Sequence, residues 1–127
     1  MKKTLITLAL AAAALGGCAS SMYASATPAQ SAGGVLVGPN KMTLYTFDRD
    51  AAGSGKSVCN GPCATNWPPL MASANDSASG DYTVITRDDG QKQWAFKGKP
   101  LYYWVRDTKP GDMTGEGFNG VWRTARP

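Results

Sequence analysis

Apolar residues between Gly33 and the C-terminus fall into short runs, several of them alternating with polar positions, and turn residues break the runs at close intervals. This is the pattern of short strands. Val35-Leu36-Val37 and Met42 to Phe47 flank Gly38-Pro39-Asn40-Lys41, which has hairpin turn chemistry, and Tyr82 to Arg87 and Gln91 to Phe96 flank Asp88-Asp89-Gly90. A three-residue loop with Gly90 in the left-handed region pairs Tyr82 with Phe96 and Val84 with Trp94. A two-residue Asp89-Gly90 loop would oppose Arg87 and Lys92, so the longer loop is preferred. A turn at Gly98-Lys99 then sets Phe96 opposite Leu101 and Trp94 opposite Tyr103, giving a three-stranded meander with one aromatic face. Both faces of the run from Leu101 to Val105 are apolar, which predicts a central strand. Val121 to Ala125 reads as the last strand, and Pro62 starts a short helical turn through Asn66. The expected fold class is mainly β: a small single domain of antiparallel hairpins, with a helical turn near Cys59 and Cys63.

A repeat organises these elements. Leu44-Tyr45-Thr46-Phe47-Asp48-Arg49-Asp50 matches Leu101-Tyr102-Tyr103-Trp104-Val105-Arg106-Asp107, with Leu, Tyr, Arg and Asp identical and an aromatic fourth. A Gly-rich loop and a tryptophan, Trp67 or Trp122, follow each copy. Two units of roughly 55 residues predict a pair of intertwined repeats packed as one domain, repeat 1 over 33–71, a soft loop over 72–80 and repeat 2 over 81–127.

The N-terminus has a different pattern. Lys2 and Lys3 precede an apolar or small stretch from Leu5 to Leu15 that ends in Gly16-Gly17-Cys18. This is a signal peptide over 1–17, too short for the about 20 apolar residues that span a bilayer. Cysteine after two glycines fits a lipoprotein box, in which Cys18 is lipidated and becomes the mature N-terminus. The Ala, Ser, Thr, Pro and Gln composition that follows, to residue 32, predicts a flexible tether. Ala19 after the lipid site suits outer-membrane sorting in a Gram-negative host.

The mature chain keeps 110 residues, and its formal charge falls from +4 to +2 as Lys2 and Lys3 leave. No basic cluster remains to bind nucleic acid. Lys97, Lys99 and Arg106 read as a solvated hairpin edge, since Asp107 and Asp112 follow. With Cys18 taken by lipid, Cys59 and Cys63 are an even pair in an oxidising compartment and are predicted to form a disulfide, contributing about 2 kcal/mol. A C-x3-C pair also suits soft metals such as Cu(I). The chain has no histidine, however, which removes the commonest third ligand and general base. Met42, Met71 and Met113 are expected as gap-filling core residues.

Other motifs are weak. Gly53-Ser54-Gly55-Lys56-Ser57 resembles the end of a phosphate-binding loop but has Asp50 where the first glycine belongs, so no nucleotide is expected. Asp48-x-Asp50-x-x-Gly53 opens like a calcium loop yet carries Cys59 at the twelfth position. The plainer reading is that Asp50 and Asp107 accept turn amides at equivalent strand ends. Trp67-Pro68-Pro69 reads as a rigid exit turn.

The segments YTFDRD, CNGPCATNWPPL, QWAFKGKPLYYWVRD, PGD and GVW resemble the predicted bacterial lipoproteins called the secreted repeat of unknown function, which carry a Tyr-x-(aromatic)-x-x-Asp motif. Here the motif falls on Tyr45, Phe47 and Asp50, and on Tyr102, Trp104 and Asp107. The resemblance covers residues 33–127 and implies an envelope protein with no established activity. The leading expectation is a non-enzymatic, membrane-anchored binding module needing no cofactor and no metal, with the motif residues as a possible binding surface for an envelope protein or a glycan. The alternative is a periplasmic redox or copper-handling protein using Cys59 and Cys63. Hydrolysis by Asp48, Asp50, Asp107 and Asp112 is a distant third.

Overall fold

The computed structural model describes residues 27–127; the signal segment, the lipid site at Cys18 and most of the tether lie outside the described residues. In chain order the elements are β1 (Gln30–Ala32), β2 (Val35–Val37), β3 (Tyr45–Phe47), α1 (Pro62–Asn66), β4 (Met71–Ala72), β5 (Tyr82–Thr86), β6 (Lys92–Phe96), β7 (Lys99–Pro100), a 3-10 turn (Phe118–Gly120) and β8 (Trp122–Thr124). Every strand pairing is antiparallel. The mainly β class, the two repeats and the short helix beside the cysteine pair are as expected.

Tyr45 and Tyr102 exchange both backbone hydrogen bonds, at 2.7 and 2.9 Å, so the two repeats meet at their motif tyrosines. Outward from this pair the two ladders run in equivalent register. Asp48 N donates to Val121 O as Val105 N does to Asn66 O, and Ala125 N donates to Leu44 O as Leu70 N does to Leu101 O. Each motif strand therefore pairs with the closing segment of the other repeat, and the repeats are intertwined about an approximate two-fold axis. The segment from Trp67 to Leu70, read from sequence as an exit turn, is instead the partner of the run from Leu101 to Val105. Pro68 O accepts from Tyr103 N at 2.7 Å, but proline has no N–H to return the bond. At Pro69 the missing donor costs nothing. Its counterpart Thr124 turns its N–H away from the ladder, where Glu116 has to satisfy it.

The β5–β6 register has Tyr82 opposite Phe96 and Val84 opposite Trp94, with Gly90 at φ 88°, as the three-residue loop predicts. The next register differs from expectation. Phe96 faces Lys99 and Ala95 faces Pro100, because Lys97 (φ 49°) and Gly98 (φ 84°) make a two-residue loop with both residues left-handed. That geometry matches the strand twist and outweighs the cost of a positive φ at lysine. Trp94 thus lies opposite Leu101, whose N–H donates to Trp94 O.

Three further expectations are corrected. Gln30–Ala32 is a strand rather than tether, zipped to β2, and Ala29 beside it is buried in the core. Met71 and Met113 are exposed, because aromatic and leucine side chains already fill the core. Lys99 is no solvated edge residue: its Nζ donates to Phe47 O (2.8 Å) and Asp50 O (2.7 Å).

The central strands bury both faces. Leu36, Leu44, Leu70, Trp94 and Leu101 pack on one side. Tyr45, Phe47, Cys59, Trp67, Tyr102, Trp104 and Trp122 pack on the other. Tyr103 reaches back over the first hairpin, where a Cβ on Gly38 would lie 2.1 Å from its hydroxyl and 2.9 Å from its ring. Gly38→Ala is accordingly expected to cost about 1–3 kcal/mol through overpacking. Chemical denaturation of this variant beside the wild type measures the difference in midpoint.

Candidate functional site

The motif residues sit in two equivalent buried corners, each built from both repeats. In one, Tyr102 Oη donates to Asp50 Oδ2, and Val58 N donates to Asp50 Oδ1 at 2.7 Å. In the other, Tyr45 Oη donates to Asp107 Oδ2 at 2.6 Å, and Thr114 donates to Asp107 Oδ1 from its N (3.0 Å) and Oγ1 (2.7 Å). The tyrosine of each repeat thus holds the aspartate of the other. Both tyrosines are fully buried, and so is Asp50. Asp50 and Asp107 accept turn amides, the plainer of the roles weighed for them, and their second oxygens are taken by the tyrosines. The four motif polar groups are saturated within the protein and act as cross-repeat ties.

The corners differ most around Tyr102. Ser57, the last residue of the loop that resembles a phosphate-binding loop, is buried with its Oγ 2.5 Å from Tyr102 Oη. It also accepts from Arg87 Nη1 at 3.0 Å. Arg87, buried at the end of β5, donates further to Gln93 Oε1 (2.8 Å), Cys59 O (2.6 Å) and Asn60 Oδ1 (3.2 Å). Neither residue was singled out from sequence, since a serine in a Gly-Ser loop and an arginine at a strand end are usually solvated.

Burial raises the Asp50 carboxyl above the ordinary value of 3.8, against the opposing pull of the Tyr102 hydroxyl, the Val58 amide and the Lys99 and Arg87 charges. Burial, reinforced by the acceptor carboxylates, holds the Tyr45 and Tyr102 hydroxyls well above the ordinary 10.0. A group with a raised folded pKa contributes stability that is whole below its unfolded pKa and lost as pH rises through the folded one. The protein is therefore expected to lose stability above about pH 10. Tyrosinate absorbance from these two residues should appear together with the loss of near-ultraviolet circular dichroism and not before it.

Cys59 and Cys63 form a disulfide, with Cys59 fully buried and Cys63 partly so. The carboxylates considered for calcium or hydrolysis have separate partners: Asp48 pairs with Arg123 at 2.9 Å, and Asp112 accepts from the turn at Thr108 and Lys109. Among the described residues no three His, Cys, Asp or Glu side chains are grouped to hold a metal ion.

A groove of about 1080 Å³ opens beside the second core cluster. An aromatic stack lines it: Phe47 on Trp122 (4.2 Å between centroids), Trp122 on Trp67 (3.8 Å) and Trp67 on Trp104 (3.9 Å). Repeat symmetry exchanges Phe47 with Trp104 and Trp122 with Trp67, so the stack reads alike from either end. Tyr45 meets Trp67 edge-on as Tyr102 meets Trp122, at 5.3 and 5.1 Å, a favoured aromatic geometry. Gly115 permits the approach, since a Cβ there would lie 2.7 Å from the Trp67 ring. Phe118, 40% exposed, and the repeat-related Arg49 and Arg106 also line the groove. Of the motif residues, only Phe47 and Trp104 reach it. Arg49 and Arg106 were legible as identical positions of the repeat, but only the fold assigns them a shared groove.

No curated protein and no solved structure matches the chain. A family model matches it twice, over residues 26–71 and 83–126, which are the two halves that interlock at Tyr45 and Tyr102. The chain therefore belongs to the family described as the secreted repeat of unknown function.

Proposed function

We propose that this protein is a non-enzymatic binding module of the cell envelope, anchored to a membrane through lipidated Cys18, and that it receives its partner in the aromatic groove. The observation that carries this reading is the division of labour among the motif residues. Their polar groups are consumed in internal ties, while the stacked aromatics and two arginines border open space. A concave surface that combines aromatic rings with a few polar groups is the usual form of a binding site. The lipid and tether would present that groove to the envelope.

Two measurements test the reading. Radiolabelled palmitate should enter the wild-type protein in cells and not a Cys18→Ala variant. Purified full-length protein should show a saturable change in tryptophan fluorescence when titrated with solubilised envelope fractions, because Trp67, Trp104 and Trp122 line the groove. A linear, non-saturating response would remove the binding function, and equal labelling of the two proteins would remove the anchor. The absence of histidine from the chain speaks against the copper-handling alternative.

A further inference from the structure

We infer that the groove takes an acidic oligosaccharide, held at its carboxylates by Arg49 and Arg106; this rests on the binding function proposed above and names the partner's chemistry. Two independent observations converge on it. The first is charge. Among the described residues the ion pairs are Lys56 with Asp88, Lys109 with Asp112 and Arg123 with Asp48, so neither groove arginine has a carboxylate of its own. The approximate two-fold axis relates Arg49 to Arg106, and an elongated ligand with carboxylates along its length can meet a guanidinium from each repeat. Guanidinium and carboxylate match as a bidentate, charge-assisted pair.

The second observation is the lining of the groove. Trp67, Trp104 and Trp122 border it but are each more than nine-tenths buried. Arg49 and Arg106 line it and no carboxylate side chain does, so its complement is negatively charged. Phe118 adds an exposed ring and Asn66 and Asn119 add amides, a combination suited to the apolar C–H faces and hydroxyls of a sugar.

The test uses the full-length protein in detergent micelles, titrated by tryptophan fluorescence and calorimetry. The probes are oligogalacturonate and hyaluronan oligosaccharides, with methyl-esterified oligogalacturonate and poly-glutamate as comparisons. At least one acidic sugar is expected to bind saturably and to weaken as salt rises. The methyl ester is expected to bind at least about tenfold more weakly, and Arg49→Gln and Arg106→Gln about tenfold each, the scale of one charge-assisted contact. Circular dichroism and thermal unfolding of both variants should match the wild type, as neither side chain is in an ion pair among the described residues. The inference is overturned if neither acidic sugar binds, if ester and acid bind alike, if the arginine variants bind as the wild type does, or if poly-glutamate binds more tightly than the sugars. Saturable binding to envelope fractions without binding to either sugar would overturn this inference alone. Absence of both would take the binding function with it.

Discussion

Trp67→Ala should remove about 3–5 kcal/mol of stability, the range for deleting a large buried aromatic. Trp67 is the hub of the second core cluster: it stacks on Trp104 and Trp122, takes the edge of Tyr45 and touches Phe118. It is also where the repeats share one stack, so its loss separates the halves as well as leaving a cavity. A domain of this size has a total stability of about 5–15 kcal/mol, and the variant is expected to be partly unfolded at moderate temperature. Phe118→Ala touches the same stack from its exposed side and should cost about 1 kcal/mol or less. Urea denaturation followed by fluorescence distinguishes the two, and comparable midpoints for both variants would contradict the assignment of Trp67 as the hub.

Arg87→Met is expected to cost about 1–3 kcal/mol for each buried acceptor that it leaves without a donor. Methionine roughly fills the space but leaves Gln93 Oε1 and Cys59 O without the donor that now serves them. It also removes a positive charge that helps hold Asp50 down while burial pushes it up. The pH dependence follows from the sign of that effect. In the variant Asp50 rises further, so the ionised carboxylate costs the folded state more at neutral pH, and the cost is relieved as acid protonates it. The stability gap between variant and wild type should therefore narrow as pH falls towards 4 or below. A gap constant with pH would mean that Arg87 acts only through packing. Arg87→Lys should recover part of the loss, since one ammonium cannot reproduce the spread of the guanidinium contacts.

Neutralising Arg49 or Arg106 should hardly touch stability, in contrast to Arg87. The three arginines look alike in sequence, each following a strand-like run. What separates them is the segment from Ser57 to Asn60, which folds over Arg87 alone and offers it Ser57 Oγ, Cys59 O and Asn60 Oδ1. The disulfide from Cys59 to Cys63 fastens the far side of that segment.

Much of the local structure was legible because it depends on neighbours along the chain. Alternation and Gly90 decided the β5–β6 register, Pro62 the start of the helix, and the even pair of cysteines left beside Cys18 their bond. The copied Leu-Tyr-x-aromatic-x-Arg-Asp run announced the two repeats. Errors arose where a local rule had a close competitor. Lysine is a poor residue for a left-handed position, so the sequence favours a turn at Gly98-Lys99 over the Lys97-Gly98 loop that forms. The polar composition of Gln30–Ala32 hid an edge strand that β2 recruits through backbone hydrogen bonds alone.

By itself, then, the sequence determined the strand content from periodicity, the duplication from two matching runs and the cross-link from an even pair of cysteines. Tertiary structure alone decided that Tyr45 ties Asp107 while Tyr102 ties Asp50, that Arg87 is buried, and that Arg49 and Arg106 share a groove. The physical reason is that a repeat can bury its motif within itself or across a partner. Nothing local distinguishes these options, and the choice falls to the packing of four aromatic rings drawn equally from both halves.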